Sequence, residues 1–311
     1  MAILKLKPAC KDYLWGGNRL KTDFHKEYEG EILAETWELS CHKDGPSIIL
    51  NGKDAGKTFR DYVLENQSKA IGTNCDRFEE FPILIKFIDA RDNLSIQVHP
   101  DNAYALKNEG QYGKTETWYI VDAKEGAGIY YGVKEAMTKE EFADKIANNT
   151  VLDALNFQKV KKGEMYFIES GTIHAIGKDV LIAEIQQNSN VTYRVYDFGR
   201  VGADGKPREL HIEKAKEVTN LTPMTEKKNF GSHLADCDYF TVDALTLDGV
   251  QKGETDGTTF HSILILEGEG TLHTDTESIS FRKGDSLFVT ADNGSYTLKG
   301  KADALLTTVR K

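Results

Sequence analysis

The stretch from Leu94 to Glu116, LSIQVHPDNAYALKNEGQYGKTE, carries the residues whose types and spacing best suit chemistry. Leu94, Ile96 and Val98 alternate with Ser95, Gln97 and His99, and successive side chains of a strand point to opposite faces. A hydroxyl, an amide and an imidazole therefore share one face, which suits a polar pocket, while the apolar three face a core. Pro100 has no N–H to give a ladder and ends the strand. After a polar turn, Lys114 and Glu116 fall on one face of a second extended run, Thr115 to Val121. These residues suggest part of a metal site, for which at least one ligand has to come from elsewhere.

His174, in the run Gly171 to Gly177 (GTIHAIG), supplies it. Gln97, His99, Glu116 and His174 together offer two imidazoles, a carboxylate and an amide oxygen. Nitrogen and oxygen donors without thiolate suit zinc or another divalent first-row ion. The same residues also fit a plainer reading, in which the histidines are satisfied core groups and Glu116 is an edge charge. Glu184 lies in the apolar run Val180 to Gln186. Burial there would raise its proton affinity toward that of a useful general base; exposed, it would be an ordinary strand charge. Arg194 projects with Thr192 and Tyr196, and its planar guanidinium suits a phosphate or an anionic intermediate. Ser95, Lys114 and Arg200 could add phosphate contacts. The sequence has no G-x-x-x-x-G-K-[ST] or G-x-G-x-x-G loop, so side chains must hold any phosphate.

The elements that position these groups are short. Alternation predicts a strand over Thr36 to Cys41, a buried strand over Phe81 to Ile88, and strands over 129–132, 164–168, 172–176, 180–186 and 191–198. Phe59, Tyr62 and Val63 predict an amphipathic helix from Thr58 to Ile71 that stops at Gly72. Thr138 and Glu141 form a capping-box pair ahead of Phe142 and Ile146, predicting a second helix over 138–147. One element is repeated: Lys162 to Ile168 (KGEMYFI) is echoed by Lys283 to Val289 (KGDSLFV). Short strands, glycine punctuation and this duplication predict a mainly β chain of two cupin-type jelly-roll barrels with a few short helices. The expected division is residues 1–225, the metal-binding domain, and 226–311, a barrel without ligands. Pro223 and the charged run Thr225 to Lys228 mark the linker. Aligning the repeats puts His261 where Glu116 stands and Ser295 where His174 stands, so only the first barrel carries a ligand set.

Composition narrows the function. A chain of 311 residues with 40% hydrophobic and 28% charged residues has room for about two globular cores. A net charge of -10 argues against nucleic acid, which is bound by basic patches. Cys10, Cys41, Cys75 and Cys237 are far apart and read as reduced thiols. Neither a secretory leader nor a membrane span is expected, and the cytoplasm is the expected location.

The combination of Gln97-Val98-His99-Pro100, Lys114-Thr115-Glu116-Thr117-Trp118 and Gly171 to Gly177, in this order, resembles type I mannose-6-phosphate isomerases in their short bacterial form. Asp12 to Gly17 (DYLWGG), Ala34 to Ser40 and Tyr193 to Arg200 extend the likeness over nearly the whole chain. The resemblance implies one zinc ion per chain on Gln97, His99, Glu116 and His174. It also implies an active-site arginine at Arg194, a catalytic-site lysine at Lys114 and a pocket serine at Ser95. The implied reaction interconverts mannose 6-phosphate and fructose 6-phosphate through an enediol, with Glu184 as candidate base. The sugar phosphate would be the partner, and a monomer or homodimer is expected. Three alternatives remain open on the residues alone. They are a non-haem iron oxygenase, a sugar-phosphate-binding regulator without catalysis, and an isomerase of a related sugar phosphate.

Overall fold

Period-two alternation and glycine turns do build a mainly β molecule. The computed structural model describes residues 2–202, 205–224 and 228–311. The chain divides into two units, one made of Met1–Lys11, Asn18–Phe87 and Phe230–Lys311, the other of Asp12–Gly17 and Ile88–Asn229. The second unit ends close to the expected boundary near residue 225, and residues 225–227 of the expected linker lie outside the described residues. Asn18–Phe87, however, groups with the C-terminal segment and not with the metal-binding half. Long-range contacts explain this difference: the Thr73 and Asn74 N–H groups donate to the Gly257 and Thr258 carbonyls, and the Phe59 ring packs on Phe288.

In the first unit the chain lays down β1 (Ile3–Lys7), β2 (Ala9–Lys11), α1 (Arg19–Thr22), β3 (Glu35–Leu39) and β4 (Ile48–Ile49). After α2 (Phe59–Asn66) and α3 (Ser68–Ile71), β5 (Ile83–Ala90) leads on into the second unit. The single helix expected over Thr58 to Ile71 is therefore two. Thr58 caps α2 by accepting from the Asp61 N–H, but Gln67 adopts a positive φ of 43° and breaks the run. At the other end of the chain come β14 (Ala235–Asp236), β15 (Thr241–Thr255), β16 (His261–His273), β17 (Ser278–Arg282), β18 (Ser286–Val289) and β19 (Gly294–Thr308). These form one sheet in the order β14-β15-β19-β16-β18-β1-β4, with β17 on β16. β1 enters it beside β18, with Ile3 opposite Val289. That pairing draws the N-terminal segment to the C-terminal one. Ile263, Ile265, Leu287, Val289, Tyr296 and Leu298 are among the residues packed into its apolar core.

The second unit holds β6 (Ile96–Val98), α4 (Asn102–Glu109), β7 (Glu116–Ala123), β8 (Gly128–Val133), α5 (Lys139–Ala147) and β9 (Leu155–Lys159). It continues with β10 (Met165–Ile168), β11 (His174–Ile176), β12 (Val180–Gln187), β13 (Tyr193–Tyr196) and α6 (Ile212–Val218). The order β13-β6-β11-β8-β9 makes one sheet, and β10-β7-β12 are neighbours in another. The polar turn expected after Pro100 is instead the helix α4. Asp101 caps it by accepting from the Tyr104 N–H, and Gly110 closes it at a positive φ of 64°. α5 forms as expected, with both hydrogen bonds of the Thr138–Glu141 capping box present.

Burial explains the alternation of β6. Ile96 and Val98 pack in an apolar cluster with Phe142 and Ile146 of α5 and Ala215 of α6. The helices cover the outer face of the sheet, so Gln97 and its odd-numbered neighbours point to the inner one. No helix among the described residues is long and apolar enough to cross a membrane.

Candidate metal centre

Strand register brings the four candidate donors together. On β11, His174 lies opposite Gln97 of β6, and on β7, Glu116 lies opposite Gln186 of β12. His99 and His174 each have Nδ1 2.8 Å from a backbone carbonyl, that of Val191 and that of Thr172. Those carbonyls fix the tautomer with the proton on Nδ1, so each Nε2 presents a lone pair inward. His174 Nε2 lies 3.4 Å from Glu116 Oε1, and His99 Nε2 lies 3.6 Å from Glu116 Oε2. The donor atoms of the three residues all fall within 4.8 Å of one another, and all three residues are buried. Tetrahedral ligands about 2.1 Å from a metal are spaced about 3.4 Å apart, so this group can hold a metal ion. The Gln97 amide joins them: its Nε2 is 3.4 Å from His174 Nε2, and a turn about its last bond presents oxygen there instead.

Burial also fits the His174 imidazole for the task. It lowers the His174 pKa to about 4 as the leading cause, opposed by the hydrogen bond to the Thr172 carbonyl. A ring that stays neutral at pH 7 keeps its lone pair for a metal.

The wider pocket is built on the same strands. Lys114 Nζ lies 2.8 Å from Glu116 Oε2 and 3.7 Å from Glu184 Oε1, so one ammonium stands between the two carboxylates. Glu184 is buried, opposite Trp118 in the β7–β12 register, and Trp118 Nε1–H donates to its Oε2 at 2.9 Å. The reading of Glu184 as a solvated strand charge is therefore set aside. The Trp118 ring also meets His174 edge-on, with centroids 5.3 Å apart. One indole thus positions both a metal donor and the carboxylate, a role alternation alone does not reveal.

Arg194 of β13 lies opposite Gln97; its Nε donates to Ser95 Oγ at 3.3 Å and its Nη1 to the Glu209 carbonyl at 2.9 Å. Arg200 stands in a different group, around Asp197 and Arg208. The loop bearing Lys114 is pinned as well. Gln187 Oε1 accepts from the Thr115 N–H at 2.8 Å, and its Nε2 donates to Asn102 Oδ1 at 2.9 Å. The same Asn102 oxygen accepts from the Gly113 N–H at 2.8 Å. A Cβ on Gly113 would meet the Asp101 backbone at 2.3 Å, so glycine is required where the loop crosses the start of α4. Gln187, Asn102, Trp118, Asp197 and Arg208 are the residues that sequence reasoning missed.

Imidazoles and a carboxylate converging on the inner strand faces form a group that can hold a metal ion, in a protein of the cupin class. The chain belongs to the type I mannose-6-phosphate isomerase family. A family model described as the catalytic domain of type I phosphomannose isomerase matches residues 3–127, and one for the mannose-6-phosphate isomerase cupin domain matches 230–309. The mannose-6-phosphate isomerase of Streptococcus mutans is 37% identical over 300 residues, covering 94% of this chain and 93% of the relative. The mannose-6-phosphate isomerase ManA of Bacillus subtilis is 35% identical over 314 residues, covering 98% of each. The crystal structure of a mannose 6-phosphate isomerase from Bacillus subtilis superposes with a TM-score of 0.90 at 33% identity, covering 99% of both chains.

Proposed function

We propose that this chain reversibly isomerises mannose 6-phosphate and fructose 6-phosphate, with zinc held by Gln97, His99, Glu116 and His174. The observation that carries the reading is the convergence of His99, Glu116 and His174 with Lys114 and Glu184 in one buried pocket. Membership of the isomerase family supports the same substrate pair. The oxygenase and the non-catalytic regulator gain no support from these relatives.

Bound zinc would act as a Lewis acid, polarising the substrate's carbonyl and hydroxyl oxygens; such charge stabilisation is worth several kcal/mol. The remaining steps belong to side chains. Glu184 takes the proton from the hydroxyl-bearing carbon beside the carbonyl and returns it to the former carbonyl carbon, while the hydroxyl proton passes to the former carbonyl oxygen, so the bonding passes through an enediol. The Trp118 N–H holds the Glu184 carboxylate in place, and Lys114 Nζ stands 3.7 Å from its Oε1. Arg194, braced against Ser95, steadies the developing oxyanion. Ser95 and Lys114 also contact the substrate.

The test is a coupled assay with mannose 6-phosphate, with and without a chelator, together with metal analysis. We expect turnover that the chelator abolishes and zinc restores, with one zinc per chain. Absence of chelator-sensitive turnover would overturn the reading.

A further inference from the structure

A cleft of about 280 Å³ is lined by Asp12, Tyr13, Leu14, Trp15, Arg200 and Arg208. On one wall the Tyr13 and Trp15 rings stack with centroids 5.5 Å apart. On the other, a single carboxylate organises two cations. Arg208 grips Asp197 with two prongs, Nε to Oδ2 at 2.7 Å and Nη2 to Oδ1 at 2.6 Å. Arg200 Nη2 lies 3.2 Å from that same Oδ1 and donates to the Asn93 carbonyl at 2.5 Å.

The backbone is strained to keep this arrangement. The turn from Asp197 to Arg200 is closed by the Arg200 N–H donating to the Asp197 carbonyl at 3.0 Å. Its central residues, Phe198 and Gly199, have φ of +56° and +69°. A phenylalanine in that region costs energy and persists where the surroundings impose it, often at functional sites. Here the strain turns Arg200 back toward Asn93 and the cleft.

Two guanidinium groups meet at this place, with Asp12 on the cleft lining and Asp92 near enough to act on Arg200. Arg200 and Arg208 share one buried carboxylate. Arg194 lies in the same field: its proton affinity is lowered by burial first and by Arg208 next, with Asp197 opposing. Arg200 Nη1 is shielded from solvent and, among the described residues, has no hydrogen-bond partner. A guanidinium nitrogen in that state is suited to an anionic oxygen, and guanidinium forks match phosphate geometry. Asn93 is four residues from Gln97, at most about 14 Å of extended chain. Arg194, which lies within the field of Arg208, stands opposite Gln97 in the β13–β6 register, so the cations of the cleft lie beside the strand that carries metal donors.

We propose that Arg200 and Arg208, held together by Asp197, bind the phosphoryl group of the substrate in this cleft, and that Arg208 sets the preference for phosphorylated over free sugar. The inference rests on the isomerase reading and adds to it a residue, Arg208, and a positioning carboxylate, Asp197.

The test uses the full-length, metal-loaded protein with Arg208→Leu and Arg208→Lys. KM and kcat are measured with mannose 6-phosphate, inhibition and direct calorimetric binding with inorganic phosphate, and metal content alongside. We expect Arg208→Leu to raise KM and the phosphate inhibition constant together, by roughly 10- to 100-fold, with a smaller change in kcat and metal retained. Arg208→Lys, which keeps the charge but loses the two-pronged grip, falls between and guards against a folding defect in the leucine variant. Unchanged KM and phosphate inhibition in a metal-loaded Arg208→Leu variant would overturn the proposal, as would a fall in kcat with KM unmoved. If the wild type does not turn over mannose 6-phosphate, the isomerase reading fails. Phosphate binding to the wild type, and its loss in Arg208→Leu, would still report on the cleft separately.

Discussion

The two copies of the K-G-acid element fold alike and hold different inhabitants. Gly163 and Gly284 turn at φ of +90° and +89°. The acid that follows each glycine accepts from the backbone N–H three residues earlier, Glu164 from Lys161 at 2.9 Å and Asp285 from Arg282 at 2.8 Å. The strands that follow also pair in equivalent registers: Ile168 lies opposite Glu116, and Val289 opposite His261. By the same count Thr259 stands for Lys114 and Ile263 for Trp118, and Leu306 lies opposite Ile263 as Glu184 lies opposite Trp118. Turn chemistry and register thus specify the hairpin, while a few inward positions decide whether it carries a polar pocket or an apolar core. The aligned His261 meets Tyr296 Oη at 2.7 Å. The alignment had put Ser295 in this place, but Ser295 is exposed and the next residue along the strand points inward.

The sharpest way to break this comparison is to remove the matched residues at Glu116 and His261. Glu116→Ala deletes the carboxylate between the two imidazoles. We expect zinc to fall well below one per chain and turnover to drop at least about 10³-fold. His261→Ala should leave both within error, because among the described residues it belongs to no group of three or more His, Cys, Asp or Glu donors. Parallel loss in the two variants would mean that the second barrel shares the chemistry.

Next in size is the carboxylate that the second barrel replaces with leucine. Glu184→Gln keeps the shape and the Trp118 hydrogen bond but removes the base. We expect turnover to fall by roughly 10²-fold or more with zinc retained. Near-normal turnover would remove Glu184 from the mechanism.

Much of this pocket was legible in the sequence, because strand alternation places side chains by parity. Gln97, His99, Glu116 and His174 share inward faces for that reason, and the repeated turn disclosed its partner. Partners that depend on register were not legible. Trp118 reaches Glu184 only because β7 pairs with β12 at those positions. Asp197 and Arg208 meet across a loop that has no periodicity to read. α4 was missed although its Asp101 cap and Gly110 stop are both visible, because it buries only Ala105 and shows no apolar stripe. The grouping of Asn18–Phe87 with the C-terminal segment follows from contacts such as the Asn74 N–H with the Thr258 carbonyl and the Phe59 ring with Phe288, separations no local pattern encodes.

A smaller effect is expected at the clamp beside the metal. Gln187→Ala leaves the Thr115 N–H and Asn102 without their side-chain partner, so Lys114 loses its fixed position between Glu116 and Glu184. Misplacement of this kind should lower turnover about 10-fold with zinc content intact. Steady-state kinetics beside metal analysis will show it, and unchanged kinetics would mean that Lys114 is held by its own side chain alone.

The mildest contrast is one of pH, in the second barrel. Burial lowers the pKa of His261 below the usual 6.5, with Asp256 opposing. The unfolded chain therefore binds a proton near pH 6.5 that the folded chain refuses until lower pH. Stability from this group is fully present above about 6.5 and is lost as pH falls. His261→Asn removes that loss but also the bond to Tyr296, which is worth about 1 kcal/mol. In denaturant titrations the variant should be less stable than the wild type at pH 8 by about that amount. The gap should close as pH falls below 6.5. A gap that stays constant with pH would show that His261 titrates alike in both states and that its burial has no electrostatic consequence.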